Sequence, residues 1–324
     1  MQNTTIQEIN KKTPSTHHEP IHYKTLLESI GNTPLVKLNV DVPCTVLAKL
    51  EFLNPGGSLK PRCALYMIEQ AEKNGSLLPG GTIVEASSGN QGIAAAMIGA
   101  LKGYNVIITV SQKISAEKLA TIKAFGAQVL MFPPAPTLEH PDSYQSKAWE
   151  IHRNTPNSIM LNQYYNPVNA DGHYWSLGPE LWHGTHGQIT HYFGAAGSGG
   201  HVSGVGRYLK EQNPLVKVIA LDAANSWYST KGNPKPYKIE GLGIDADSPV
   251  LDKKTIDQII PVTDENGLAM TKRLAREFGI LVGPSSGAVA HGAFEYAKNL
   301  LPHDVLVMVF GDAGQAYLSK GFYD

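Results

Sequence analysis

Asn54-Pro55-Gly56-Gly57-Ser58-Leu59-Lys60-Pro61-Arg62 joins an apolar strand to an apolar helix, and its reading decides the fold. Pro55, Gly56 and Gly57 form a turn signal that ends the strand over 45–50. Beyond them, Cys63-Ala64-Leu65-Tyr66-Met67-Ile68 begins a helical apolar stripe that stops at Asn74-Gly75. Lys60 therefore sits where a loop enters a helix. The positive end of the helix dipole disfavours an ammonium there, and a lysine that forms a Schiff base must react as the neutral amine. A lone lysine at a helix start is ordinarily a solvated surface charge; here its company in the rest of the chain argues for chemistry.

Working outward, 23–30 reads as a helix, Gly31-Asn32-Thr33-Pro34 as a turn and 35–38 as a short strand. After the lysine helix come strands at 82–85, 105–110 and 128–132. Helices over 92–101 and 115–125 alternate with them, the latter with Ser115 as N-cap and Gly126 as stop. A proline-marked stretch, 133–141, leads to a helix over 144–152. A second strand–helix series opens at Ile159-Met160-Leu161 and continues through strands at 192–194, 216–221, 259–260 and 305–310. Helices over 265–278 and 288–299 lie between its last two strands. Short apolar strands alternating with helices mean crossover units and mostly parallel sheets. Two such α/β domains would bind ligands in the cleft between them.

The bulk numbers agree. A chain of 324 residues, 42% hydrophobic and 17% charged, can bury a large core and is not disordered. A formal net charge of -1 offers no basic surface for nucleic acid or an acidic membrane. Cys44 and Cys63 have no metal-ligand spacing and form no disulfide framework, which points to a reducing compartment. The polar N-terminus has no apolar signal region, and the longest apolar run, 93–101, is too short to span a bilayer. The cytoplasm is the expected location, and 1–22 the expected loosely ordered extension. His17-His18 lacks further spaced ligands. His183, His186 and His191 share no common face, so no metal site is expected.

Three further stretches enter helices. Glu85-Ala86-Ser87-Ser88-Gly89-Asn90-Gln91-Gly92 offers unpaired amides and two hydroxyls, a place for a carboxylate or phosphate. Ordinary N-capping by Ser87 or Ser88 is the bland alternative. In Gly197-Ser198-Gly199-Gly200-His201 a glycine-rich turn follows a strand and brings backbone amides towards phosphate oxygens. Val202 stands where the dinucleotide fingerprint needs glycine, and no Walker lysine follows, so a monophosphate cup is the better reading. Gly283-Pro284-Ser285-Ser286-Gly287 places a hydroxyl at a third helix start.

Together these stretches resemble the fold-type II pyridoxal-phosphate enzymes, in particular cysteine synthase (O-acetylserine sulfhydrylase) and the catalytic core of cystathionine β-synthase. Gly31-Asn32-Thr33-Pro34-Leu35-Val36, Gly178-Pro179-Glu180-Leu181-Trp182 and Lys238-Ile239-Glu240-Gly241-Leu242-Gly243 extend the likeness over about 23–324. The resemblance implies two three-layer α/β/α domains of the tryptophan synthase β type. A large cofactor domain would comprise 23–53 plus 166–324, and a smaller, mobile substrate-side domain 54–165. It implies that Lys60 carries the internal aldimine of pyridoxal 5'-phosphate and moves the Cα proton. Asn90 would meet the ring oxygen, Gly197, Ser198, Gly199, Gly200 and His201 the phosphate, and Ser285 the pyridine nitrogen. Ser87, Ser88, Gly89, Asn90, Gln91 and Gln163 would hold the substrate, with the loop at Gly241 beside it. A homodimer is implied as well.

The implied reaction is β-elimination and β-replacement on O-acetylserine or serine through an aminoacrylate, with a thiol, sulfide or amine as nucleophile. A hydroxyl at the ring nitrogen makes a weaker electron sink than a carboxylate would, which favours elimination over transamination. Condensation of serine with homocysteine and a specialised amino-acid synthase are the rival reactions, and a catalytically silent cofactor-binding relative is the rival class. Retention of Lys60, Asn90 and Ser285 argues against silence. Gly197-Ser198-Gly199-Gly200 lacks the four-glycine run of the serine/threonine dehydratases. Pro61, Gln91, His201 and Ala313 depart from the family pattern and bear on specificity.

Overall fold

The computed structural model describes residues 22–135, 137 and 140–324. His17-His18 and nearly all of the N-terminal extension lie outside them. Strands β1 (Leu35–Lys37) and β2 (Thr45–Leu50) lead to helix α1 (Lys60–Lys73). Then come β3 (Thr82–Ala86), α2 (Asn90–Lys102), β4 (Asn105–Ser111), α3 (Ala116–Ala124) and β5 (Gln128–Phe132). Next are α4 (Tyr144–Asn154), β6 (Ser158–Met160), α5 (Val168–Tyr174), α6 (Leu177–Gly184) and β7 (His191–Ala195). The remainder is α7 (Gly200–Gln212), β8 (Lys217–Ala223), β9 (Gln258–Val262), α8 (Asp264–Phe278), α9 (Pro284–Ala297), β10 (Val305–Phe310) and a 3₁₀ helix, Gly314–Lys320.

The strands form two sheets, a six-stranded one of order β1-β2-β10-β7-β8-β9 and a four-stranded one of order β5-β4-β3-β6. Every pair is parallel except β1 with β2. A parallel strand covered on both faces reads as an unbroken apolar run, and β10, Val-Leu-Val-Met-Val-Phe, is one. Its alternate residues serve opposite cores. Leu306, Met308 and Phe310 pack with Leu274, Ala290 and Phe294 of α8 and α9. Val307 and Val309 pack with Leu181, Val205 and Leu209 of α6 and α7. Each such large side chain contributes roughly 1.5–3 kcal/mol by leaving water. In the small sheet, Ile83 and Ile108 meet Met67 and Ile68 of α1 and Ile98 of α2. Ala148 of α4 closes the other face over Val84 and Ala86.

Three expectations change. The helix over 23–30 shrinks to a 3₁₀ helix, Leu26–Ser29, that buries no residue, so nothing pays for a longer one. Ile159-Met160-Leu161 does not open the second series; β6 pairs with β3 and completes the small sheet. A three-residue strand carries no record of its partner, which the crossover decides. Helices α5 and α6 were not anticipated. Val168–Tyr174 shows no apolar stripe, and the helix is held by tertiary contact: a Cβ at Gly172 would stand only 2.9 Å from the Cα of Cys63, so glycine lets α5 close on α1.

Candidate active site

Four helix starts meet at the carboxyl ends of the two sheets. The N-termini of α1, α2, α7 and α9 all lack a side-chain cap, and their amides and dipoles face one cleft. Lys60, Asn90, Gly197, Ser198, His201, Gly241, Ser285 and Asp312 all line it. Lys60 is the first residue of α1, and Pro61 beside it occupies an early helical position where a missing N–H costs nothing.

The glycine turn is shaped by close approach. Gly199 caps α7 with φ +90° and a Cβ there would lie 2.7 Å from Leu251, while a Cβ at Gly200 would collide with Asn169 Oδ1. Asn169 Nδ2 donates to the carbonyl of Gln163 (2.7 Å) and to Ser198 Oγ (3.3 Å), tying the turn to the Gln163 segment. Asn169 and His173 stand one helical turn apart on α5, and the rings of His173 and His201 meet edge to face at 6.0 Å. Asn169 Oδ1 and His173 Nδ1 are buried and find no hydrogen-bond partner among the described residues. Burial, and then the nearby Lys60 charge, push the His201 imidazole down to about 3, so it stands neutral with an N–H to give. Burial likewise holds His173 well below its usual range. The sequence signal for Asn169 and His173 was their i,i+4 spacing, invisible until the helix itself was known.

On the facing side, Gly89 is the N-cap of α2. Neither serine caps that helix. Ser87 Oγ accepts from the Gly89 amide at 3.2 Å, and Ser88 Oγ from the Ser111 amide at 2.8 Å, so both brace the loop and leave the helix start open. The Gln91 side chain turns inward, 1% exposed, with Oε1 3.6 Å from Cys63 Sγ and Nε2 without a partner among the described residues. Asn90 Nδ2 donates to Asp312 Oδ2 at 2.7 Å. Burial raises the Asp312 carboxyl above its usual value. Glu85 at the end of β3 accepts from the Asn162 amide at 2.8 Å, and burial pushes its carboxyl up to about 8. Ser285 lies in the first turn of α9 against the loop at Gly241, where an added Cβ would come within 3.3 Å of Ser285 Oγ. His183 ends up in α6 and His191 at the start of β7.

A monophosphate fits this cleft. The turn has no room for side chains, its helix start is uncapped and His201 offers a neutral donor. An amine, an amide and a hydroxyl line the same space, which suits an aromatic aldehyde beside the phosphate. The fold and cleft thus define an α/β protein that brings a lysine amine and an open, glycine-lined helix start into one space. A family profile described as pyridoxal-phosphate dependent enzyme matches residues 26–312, and the chain belongs to that family, whose cofactor is pyridoxal phosphate. It is 40% identical over 304 residues to a cystathionine beta-synthase of Apis mellifera, covering 91% of this chain and 60% of that protein. The chain thus spans about three-fifths of that relative's length. It is 40% identical to a probable cysteine synthase of Bacillus subtilis, covering 91% of this chain and 96% of that one. The crystal structure of an O-acetylserine dependent cystathionine beta-synthase from Helicobacter pylori superposes with a TM-score of 0.87 at 34% identity, over 94% of this chain and 100% of that one. Among the described residues no helix is long and apolar enough to cross a membrane.

Proposed function

We propose that this chain catalyses β-elimination and β-replacement on a serine-derived amino acid, O-acetylserine or serine, with a sulfur nucleophile, as a cysteine synthase does. The observation that carries this reading is the meeting of Lys60, Gly197, Ser198 and His201 of the glycine turn, and Ser285 in one cleft. Bound pyridoxal phosphate would supply an aldehyde that condenses with amines and a ring that draws electrons from Cα. Lys60 would hold the cofactor through its aldehyde, and its freed amine would take and hold the Cα proton. Gly197, Ser198, Gly199, Gly200 and His201 hold the phosphate. Ser285 would offer the ring nitrogen a hydroxyl partner, a weaker electron sink than a carboxylate and one that suits loss of the β-substituent. Asn90 orients the ring. Ser87, Ser88, Gly89, Gln91 and Gln163 receive the amino acid, Gln91 through its backbone amide because its side chain faces Cys63.

The two sheets support a division into a cofactor-binding part, 23–53 plus 166–324, and a smaller substrate-side part, 54–165. We also propose a homodimer, on the family likeness, and a cytoplasmic location, on the two unpaired cysteines.

The test pairs O-acetylserine, O-phosphoserine, serine and cysteine with sulfide and with homocysteine, read by absorbance and by mass of the product. Cysteine formed from O-acetylserine and sulfide is the expected result. Cystathionine formed from homocysteine alone would move the assignment to the condensing reaction, and no spectral response to any donor would overturn β-replacement.

A further inference from the structure

We infer that Lys118 is a positioning residue that holds the substrate-facing loop 238–243 in place from across the cleft. This deepens the proposed function and rests on it for the identity of the substrate. Lys118 belongs to α3, beside the small sheet, and is 2% exposed. Its Nζ lies 2.8 Å from Glu240 Oε2, on a loop that packs against the large-sheet side. A buried ammonium without a counter-charge is costly, and among the described residues Glu240 is the carboxylate Lys118 pairs with.

The neighbours of this pair reach the cleft at both ends. Glu240 precedes Gly241, whose φ is +81° and whose carbonyl oxygen would stand 3.0 Å from a Cβ at Gly197, while Ser285 flanks it. The loop therefore lies directly on the glycine turn and the ring-nitrogen serine. At the other end, Lys118 Nζ sits 4.0 Å over the centre of the Tyr317 ring. Tyr317 donates its hydroxyl to Asp312 Oδ2, the same oxygen that receives Asn90 Nδ2. One ammonium thus braces the substrate loop and stands behind the carboxylate that orients Asn90. Lys118 itself does not line the cleft.

The fold supplies its own control. Glu117, next to Lys118, ties α3 to the C-terminal 3₁₀ helix by accepting from the Ser319 amide (3.0 Å) and hydroxyl (2.8 Å). That tie touches the loop only indirectly, through Lys320 beside Ser319, whose Nζ lies 3.2 Å from the other Glu240 oxygen, Oε1, whereas the buried Lys118 holds Oε2 at 2.8 Å. If Lys118 merely glued α3 down, breaking either tie would have the same effect.

The experiment compares Lys118→Met, Lys118→Arg, Glu240→Gln and Glu117→Gln in the full chain loaded with cofactor. Hydrogen–deuterium exchange over 238–243, KM and kcat with O-acetylserine, and cofactor affinity are read. Lys118→Met and Glu240→Gln should each speed exchange in the loop about tenfold and raise KM about tenfold, with kcat within about twofold and cofactor affinity unchanged. Glu240→Gln releases both Lys118 and Lys320, so the double variant should add nothing to Glu240→Gln alone. Lys118→Arg should restore both readouts, and Glu117→Gln should leave both alone. Unaltered loop exchange in Lys118→Met, or the same acceleration in Glu117→Gln, overturns the inference. If Lys118→Met fails to fold, Glu240→Gln makes the same test from the more exposed partner, and an unaltered loop there overturns it equally. Exchange needs no turnover, so a wild-type protein inert towards O-acetylserine would count against the proposed reaction and not against the clamp.

Discussion

Arg62 and Glu180 meet in a two-pronged ion pair, Nη1 at 2.7 Å from Oε1 and Nη2 at 2.8 Å from Oε2. Arg62 opens the helix that begins at Lys60, and Glu180 lies 118 residues further on in α6. Glu51 takes the other edge of the guanidinium through Nε at 2.6 Å and Nη2 at 2.8 Å, and Lys49 reaches Glu180 at 2.6 Å. Burial would lower the guanidinium's pKa, but the two carboxylates outweigh it and raise it. Glu180 in turn is held at about 2: burial would raise it, but Arg62 and Lys49 win. The network anchors the start of the lysine helix to the large sheet.

Arg62→Met leaves Glu51, which is fully buried, without its counter-charge. The expected loss is about 3–5 kcal/mol of unfolding free energy, measured by urea denaturation. Arg62→Lys should recover only part of it, because an ammonium cannot bond two carboxylates with a planar fork. A loss below about 1 kcal/mol, the range of exposed pairs, would mean that the network is not what fixes the helix.

His201 and Glu85 should give opposite pH slopes. A histidine that folds neutral, with its pKa brought from 6.5 down to about 3, stabilises fully above 6.5 and loses that contribution as pH falls towards 3. Between pH 7 and pH 5 the loss is about 2 kcal/mol. Glu85 is the reverse case. Its carboxyl is raised from 4.5 to about 8, so its contribution is whole below 4.5 and is lost as pH rises towards 8, by about 2–3 kcal/mol from pH 5 to pH 7. His173, which burial also keeps neutral, adds to the His201 side of the balance, so each variant is read against the wild type. His201→Thr should become less stable at pH 7 relative to pH 5, and Glu85→Gln more stable; denaturation at the two pH values separates them, and parallel slopes in all three proteins would refute both assignments.

Gly199→Ala forces a left-handed backbone and a clash with Leu251. About 1–3 kcal/mol of strain is expected at the turn, with cofactor affinity down about tenfold or more by fluorescence titration of the apoprotein. Normal affinity in this variant would remove the turn from the phosphate site.

Gln91→Met keeps the shape of the side chain and removes the unpartnered Nε2. Stability should hold or rise by about 1 kcal/mol, with the KM for the amino-acid donor within about twofold. A tenfold rise in KM would show that the Gln91 side chain, and not its backbone, reads the substrate.

The two-sheet architecture was legible in advance because local signals carry it. Unbroken apolar strands such as 305–310 mean burial on both faces, and glycine-rich helix entries at 87–92 and 197–201 mean open amides. Lys60, Asn90 and Ser285 could be singled out because each sits at such an entry. The helix 168–174 could not, since its stability comes from Gly172 against Cys63 and not from its own pattern. With it went Asn169 and His173. The inward turn of Gln91 was hidden for the same reason: its direction depends on where α1 places Cys63.

By itself the order of residues determined the crossover topology, the helix starts that leave amides unpaired and the lysine at one of them, because turn chemistry and periodicity act over a few residues. Tertiary structure alone decided that Arg62 should find Glu180, that Asn90 should share Asp312 with Tyr317 and that Lys118 should face Glu240. Ion pairs and buried hydrogen bonds act over a few ångströms of space, and residues 118 or 222 positions apart along the chain become neighbours only after both sheets are built.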